Sequence, residues 1–323
     1  MIVMRVAIFC VFIFIFSSCR KESNKLGDSG NVCTATLVGV KGTYGKQTLV
    51  RIDTNTGKGI NSSFSLVTTE HIHGTAYNTK ENAYYILERN SSDNKQLRRY
   101  DLFTHKTTII TYTGTNEEVR SSNRHIIFYN TFTNKLCMTF FDGNGDCLHE
   151  LVINGITFDV KEILPSRKGN DLFPRTVDDN TGDIYFSSYD NYQKQNIEVY
   201  KQATGSRMLI TEITGPSTIS ELNFNKNDNT LYGVRGTATN KGCEVVTIDV
   251  NNGNITPIIS MTFDTLIASI FSTLDQCNNV LVVYNAHMVR TVNNDIFWVD
   301  LKERKVRKHL KPGDYYRDLT FVK

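Results

Sequence analysis

Residues 245–253 read VVTIDVNNG: a β-branched run, an aspartate, then a polar stretch that ends in glycine. Such a segment suits a strand that stops at a tight turn, because β-branched residues fit a pleated surface while Asp, Asn and Gly favour reversal of the chain. The frame recurs. It is found again at LVRIDTNTG (49–57), LRRYDLFTHK (97–106), MTFFDGNG (138–145) and IFWVDLKER (296–304), and at IEVYKQATG (197–205) with lysine in place of the acid. The marker positions Asp53, Asp101, Asp142, Lys201, Asp249 and Asp300 are separated by 48, 41, 59, 48 and 51 residues, about 49 on average. The aspartate has a local reason to recur, since its carboxylate accepts the turn's backbone N–H groups and closes the hairpin.

Working outward from each marker, a second strand enters from a polar turn at TKENAYYIL (79–87), NRHIIFY (123–129), NTGDIYF (180–186), KNDNTLYGV (226–234) and CNNVLVVY (277–284). Further strands precede some of those turns, at HGTAYN (73–78), LFPRTVD (172–178) and ISELNFN (219–225). Helical periodicity is confined to 264–277, where Leu266, Ile267, Ile270, Phe271 and Leu274 fit either a helical stripe or a buried strand; its place in the repeat favours strand, with a helical insert as the alternative. Repetition at this period without crossover helices is the pattern of β-propeller blades.

The expected fold is therefore all-β: a six-bladed β-propeller of four-stranded antiparallel blades over residues 34–323. The first unit begins at TATLVGV (34–40) without an innermost strand, and the C-terminus carries a surplus one, RDLTFVK (317–323). Pairing these two closes the ring and removes the open sheet edge. An open β-sandwich is the competing architecture.

The first 19 residues, MIVMRVAIFCVFIFIFSSC, carry one cation at Arg5 and an apolar stretch from Val6 to Phe16. That stretch is too short for a bilayer-spanning helix and has the length of an export signal's core. Ser17-Ser18-Cys19 resembles a bacterial lipobox, which implies cleavage before Cys19, acylation of that cysteine and a membrane partner through the lipid anchor. Residues 1–18 are read as the lipoprotein signal peptide. Residues 19–33 are read as the lipidated cysteine and a flexible polar tether. Arg20-Lys21-Glu22 resembles the export signal of Bacteroidetes surface lipoproteins. Together, address and architecture resemble the six-bladed propeller lipoproteins of Bacteroidetes cell surfaces, which implies an exported protein at the outer membrane or cell surface.

Chemistry is less legible. The formal charge of +3 falls to +2 once Arg5 leaves with the leader, and no basic block is present, which disfavours nucleic acid as a partner. Cys33, Cys137, Cys147, Cys243 and Cys277 remain in the domain without C-x-x-C spacing, most of them read as buried thiols. A Cys137–Cys147 disulfide conflicts with a hairpin turning at Asn144-Gly145, which would oppose Asp142 and Cys147. The run Asp142–Asp146 lacks the glycine and glutamate of a calcium loop and reads as a hairpin turn, as does Asp178–Asp183. His71 and His73, two apart on a strand, should share a face. They form too small a set to assign a metal, and no cofactor is expected. G-x-S-x-G, H-E-x-x-H and P-loop patterns are absent.

Loops leading into the innermost strands should ring the channel mouth, which selects His71, His73, Glu118, Arg120, Arg175, Glu221, Tyr315, Tyr316 and Arg317 as candidate ligand contacts. The leading expectation is a lipid-anchored binding or scaffold module for a glycan, peptide or protein partner. The alternative is a propeller hydrolase or lyase with a polar, metal-assisted site at the channel mouth.

Overall fold

The computed structural model describes residues 35–42, 47–60, 66–68, 71–90, 94–116, 119, 125–167, 170–190, 194–215, 217–237, 241–263, 269–286, 294–312 and 314–322. Every element these residues define is a β-strand. The first sheet holds β1 (Thr36–Lys41), β2 (Gln47–Ile52) and an outer edge split between β3 (Gly59–Ile60) and β4 (Leu66–Thr68), which pair with opposite halves of β2. Next come β5 (His71–Asn78), β6 (Ala83–Arg89), β7 (Lys95–Asp101) and β8 (Thr107–Tyr112), followed by β9 (His125–Asn130), β10 (Lys135–Phe141), β11 (Asp146–Asn154) and β12 (Thr157–Leu164). Three further sheets are β13 (Asn170–Val177) to β16 (Ser206–Thr214) through β14 (Ile184–Asp190) and β15 (Lys194–Lys201), β17 (Ile219–Asn225) to β20 (Ile255–Thr262) through β18 (Thr230–Gly236) and β19 (Gly242–Ile248), and β21 (Ser269–Asp275) to β24 (Lys305–Leu310) through β22 (Val280–Ala286) and β23 (Asp295–Asp300). The final strand is β25 (Tyr316–Val322).

Each of these units is an antiparallel meander, as the turn spacing predicts. One junction differs. Thr157 and Phe158 of β12 pair in parallel with Thr111 and Tyr112 of β8, so two outer edges meet and two meanders merge into an eight-stranded sheet. The expectation of wholly separate antiparallel blades fails there, because unpaired outer backbone groups lie close enough to satisfy each other.

β25 pairs antiparallel with β1, Thr36 opposite Val322 and Lys41 opposite Tyr316, as the surplus terminal strand predicts. The leading strands also touch one another in a closed cycle: β5 packs on β9, then β13, β17, β21 and β25 follow in turn, and β25 returns to β5. Segment 269–275 is strand, as its place in the repeat predicts. Buried apolar residues of neighbouring sheets fill the wedges between them, for example Tyr185 and Ile197 against Phe224 and Val246.

The turns explain the regularity. At the 3-to-4 turns, Asp53 Oδ1 accepts the N–H of Asn55 at 2.7 Å and Asp101 Oδ1 that of Thr104 at 2.7 Å. These backbone donors hold both carboxyls below the ordinary aspartate range. Four residues after five of the six markers comes a left-handed residue: Gly57, His105, Gly205, Gly253 and Arg304 have φ between 52° and 74°; Asp142 departs from the expected frame and sits one turn earlier in its unit, between β10 and β11. Where Lys201 replaces the acid, Asp183 on the neighbouring chain segment takes over, accepting the N–H of Gln202 at 3.0 Å and the Lys201 ammonium at 2.7 Å.

A second set closes the hairpins after the leading strands. Buried Asn78, Asn130, Asp178, Asn225 and Asp275 each cap a turn whose fourth following residue, Asn82, Asn134, Gly182, Asn229 or Asn279, is left-handed. Asp142–Gly145 is a hairpin turn as read from sequence, closed by Asp142 N–H donating to Gly145 O at 3.0 Å. Its register differs from the expectation, however: Cys147 opposes Phe140 and Cys137 opposes Glu150, so the two thiols are not partners. Both are free, as is Cys243, and desolvation pushes all three up to about 12. Cys277, in contrast, is disulfide-bonded.

Candidate functional site

The ring of leading strands encloses a cavity of about 550 Å³, and β5, β9, β13, β17, β21 and β25 all line it. Half-buried Phe128, Phe173 and Phe271 supply rings, Thr75, Thr176 and Ser272 supply hydroxyls, and Glu221 and Asp318 supply carboxyls. Asn223 is buried, and its amide donates to Ser272 Oγ at 2.6 Å, which fixes two polar groups across neighbouring strands.

Four leading strands bulge. The extra residue falls at His73 in β5, Arg175 in β13, Ser220 in β17 and Asp318-Leu319 in β25, in each case against an unbulged partner. A bulge bends its strand and re-aims side chains, and bulges concentrate beside functional sites. Asp318 takes φ 51° within its bulge while lining the cavity.

A second cavity of about 450 Å³ shares Tyr77, Asp179, Leu274 and Gln276 with the first. It lies among the turns that follow the leading strands, with Thr79, Lys226 and Asn227 on its wall. Those turns are laced together: Gln276 Nε2 donates to Phe224 O at 2.7 Å, Asn227 Nδ2 donates to Gln276 O, and Thr131 Oγ1 donates to Asp179 Oδ1. Lys226 Nζ lies 3.5 Å from Asp179 Oδ2. The cavity therefore continues toward the hairpin-turn end of the strands, opposite to the entry-loop end selected from sequence.

The candidate contacts divide accordingly. Glu221 lines the axial cavity. Tyr316 does not serve as a contact: it is fully buried in the apolar cluster of Leu37, Val282 and Trp298, and its hydroxyl donates to Asp314 Oδ2 at 3.0 Å. Burial raises its phenol well above the usual range. Tyr315, half-buried, packs against the same cluster. His73 turns to β7, its Nε2 2.9 Å from the Nζ of buried Lys95, and a bulge falls at His73 itself. His71, Arg175 and Arg317 are placed in their strands by backbone pairing alone. Cys19, Glu118 and Arg120 lie outside the described residues.

Asp179, Lys226, Asn227 and Gln276 were not selected from sequence. The available signal was the Asx-x-x-x-Asn/Gly spacing, which marks the turns whose second and third positions face the opening. Among the described residues no group of three His, Cys, Asp or Glu side chains is placed to hold a metal ion. The assembled chemistry is that of a polar pocket with phenyl walls, able to accept and donate hydrogen bonds around a ligand's edge while covering its apolar face.

No protein-family profile matches the chain, and no curated protein matches it. Solved structures do. TolB from Acinetobacter baumannii superposes with a TM-score of 0.63 at 14% identity, over 89% of this chain and 66% of that one. A prolyl endopeptidase gives 0.52 at 11% identity over 87% of this chain, which spans only 43% of the enzyme. The periplasmic gluconolactonase PpgL from Pseudomonas aeruginosa gives 0.53 at 9% identity, over 90% and 99% of the two chains. The chain folds as a β-propeller. At these identities the likeness concerns architecture alone, and this propeller's site rests on its own residues.

Proposed function

We propose that the chain is an exported, lipid-anchored, six-bladed β-propeller that binds a polar ligand, a glycan or a peptide, in its axial cavity. Six blades are supported by the closed cycle of leading strands and by the repeat of about 49 residues. Anchorage is supported by the leader and Cys19, and a Bacteroidetes-type surface lipoprotein by the Arg20-Lys21-Glu22 stretch that follows. The observation that carries the binding reading is the 550 Å³ cavity, which is of ligand-site size and combines phenyl walls with fixed polar groups.

The test is a glycan and peptide array on the mature chain, repeated with Ser272→Trp, which fills the cavity from β21. Binding should fall at least tenfold in the filled variant and stay unchanged in Lys305→Ala on an outer strand. Equal binding by both variants overturns the reading.

The enzyme alternative is favoured by the left-handed Asp318 in a bulge on the cavity wall, since strained backbone gathers at active sites. A gluconolactonase among the propeller neighbours shows that the fold hosts hydrolysis. In that case Asp318→Asn abolishes turnover of an ester or lactone substrate while leaving the melting temperature intact; absence of turnover by the parent protein rejects it. Metal assistance through His73 is opposed by the Lys95 ammonium at 2.9 Å.

A further inference from the structure

We propose that a ligand reaches the axial cavity through the turn-side cavity, and that Lys226 is the residue that sets which charges pass. The inference rests on the axial cavity being the binding site. The two cavities adjoin, since Tyr77, Asp179, Leu274 and Gln276 line both. The turn-side wall carries exposed Thr79, Lys226 and Asn227, so that end opens to solvent. Neighbouring turns hold its frame in place. Lys226 N–H donates to Gln276 Oε1 at 3.2 Å, Gln276 Nε2 donates to Phe224 O at 2.7 Å, and Asn227 Nδ2 donates to Gln276 O. Asp179 is tied to the preceding hairpin by the Thr131 hydroxyl. A mouth braced in this way is largely pre-formed, as ligand sites usually are.

Charge at this mouth turns on one ion pair. Asp179 belongs to both walls and Lys226 to the outer one. Lys226 Nζ lies 3.5 Å from Asp179 Oδ2, with 42% and 27% of their side-chain surfaces exposed. That separation exceeds the usual charge-assisted bond of about 2.7–2.9 Å. An ammonium also carries three donors, so Lys226 keeps capacity for a passing acceptor. Among the described residues of the turn-side wall Lys226 is the only cation, and Asp179 and Asp275 are the acids. Asp275 is occupied by its own turn: Oδ1 accepts the N–H groups of Cys277 at 3.0 Å and Asn278 at 3.2 Å, and Oδ2 accepts Asn278 Nδ2 at 2.6 Å. Lys226 therefore balances Asp179 and lets anionic groups pass. Without that ammonium the carboxylate of Asp179 faces both cavities alone, and a cleft lined by one sign of charge concentrates the opposite sign.

The test labels a thiol placed inside the axial cavity and needs no ligand. Ser272→Cys and, independently, Thr320→Cys put it on half-buried lining positions of β21 and β25. The probes are the anionic sulfonatoethyl and the cationic trimethylammonioethyl methanethiosulfonates; the thiolate attacks the reagent's sulfenyl sulfur, a disulfide forms and methanesulfinate leaves. Adducts are followed by mass spectrometry against the protein without the introduced thiol. Cys137, Cys147 and Cys243 are buried with thiols pushed up to about 12, so they react slowly. Thr79→Trp, which plugs the turn-side wall, should slow both reagents by about tenfold or more, while Lys80→Trp, one residue on and off that wall, should leave the rates unchanged. Lys226→Gln should raise the cation-to-anion rate ratio by about fivefold at low salt, and less at high salt. Failure of both introduced thiols to label, equal rates with and without Thr79→Trp, or a ratio unmoved by Lys226→Gln overturns the proposal. A silent glycan and peptide array combined with labelling that obeys these rules would instead reject the binding reading and leave the route standing.

Discussion

Removing one hydroxyl from Tyr316 and one from Tyr284 separates a structural role from a ligand contact. Both rings are fully buried where β25, β1 and β22 meet, and both serve Asp314. Tyr316 OH donates to Asp314 Oδ2 at 3.0 Å, but that carboxylate also holds Lys41 at 2.9 Å and keeps 27% of its side-chain surface exposed. Water can replace the lost donor, so Tyr316→Phe should cost about 1 kcal/mol. Tyr284 OH donates to Asp314 O at 2.9 Å and accepts the N–H of Tyr316 at 2.8 Å. The carbonyl retains Asn294 Nδ2 at 2.6 Å after Tyr284→Phe, while the buried N–H is left without an acceptor. That orphan carries its full desolvation penalty, about 2 kcal/mol. In a domain of this size each kcal/mol moves Tm by roughly 2–4 °C. Scanning calorimetry should rank Tyr284→Phe below Tyr316→Phe and both below the parent, with ligand binding unchanged. A Tyr316→Phe variant that melts like the parent but loses binding would restore Tyr316 to the site and refute the packing argument.

Other outcomes follow from the same geometry. Glu198 and Arg207, with side chains 6% and 3% exposed, form a bidentate pair that also takes the Ser188 hydroxyl. Glu198→Gln should cost about 3 kcal/mol in urea melts, while Glu198→Leu with Arg207→Met should be close to neutral; comparable losses in both would contradict the burial argument. His149 is buried on Phe140, 4.5 Å between ring centres, with Nδ1 lacking a partner among the described residues. Desolvation lowers its pKa from 6.5 to about 4, opposed by Asp142. The unfolded state therefore takes up the proton first, and stability present above pH 6.5 is lost as pH falls toward 4, by roughly 2–3 kcal/mol. His149→Gln should flatten that limb of the pH–Tm curve. Exposed Asn229 holds φ 56°, so Asn229→Val should cost about 1–2 kcal/mol and Asn229→Gly almost nothing, read by urea midpoints.

Local chemistry explains what was legible in the amino-acid order. Strands and turns could be read because their signals are short-range: alternating β-branched runs, an Asx that accepts N–H groups two and three residues on, and a left-handed Asn or Gly four residues on. The ring's closure could be read too, because the missing first strand before Thr36 and the surplus one at Tyr316–Val322 are complementary. Even the 201–205 turn kept its place without its acid, although only proximity in space shows that Asp183 substitutes for it.

Tertiary structure alone decided the rest. Tyr316 looks like a mouth residue by position, yet a neighbouring sheet buries it, and Tyr315 packs half-buried against the same cluster. His73 sits at a one-residue bulge that strand alternation cannot foretell, and its ring meets Lys95. Asp179, Lys226 and Gln276 come from turns far apart in the chain and meet only when the leading strands pack side by side. Hydrogen bonds within a turn depend on neighbours along the backbone, so the sequence specifies them directly. A cavity exists only between segments, and its lining is settled by which faces of which strands the closed ring turns toward its centre.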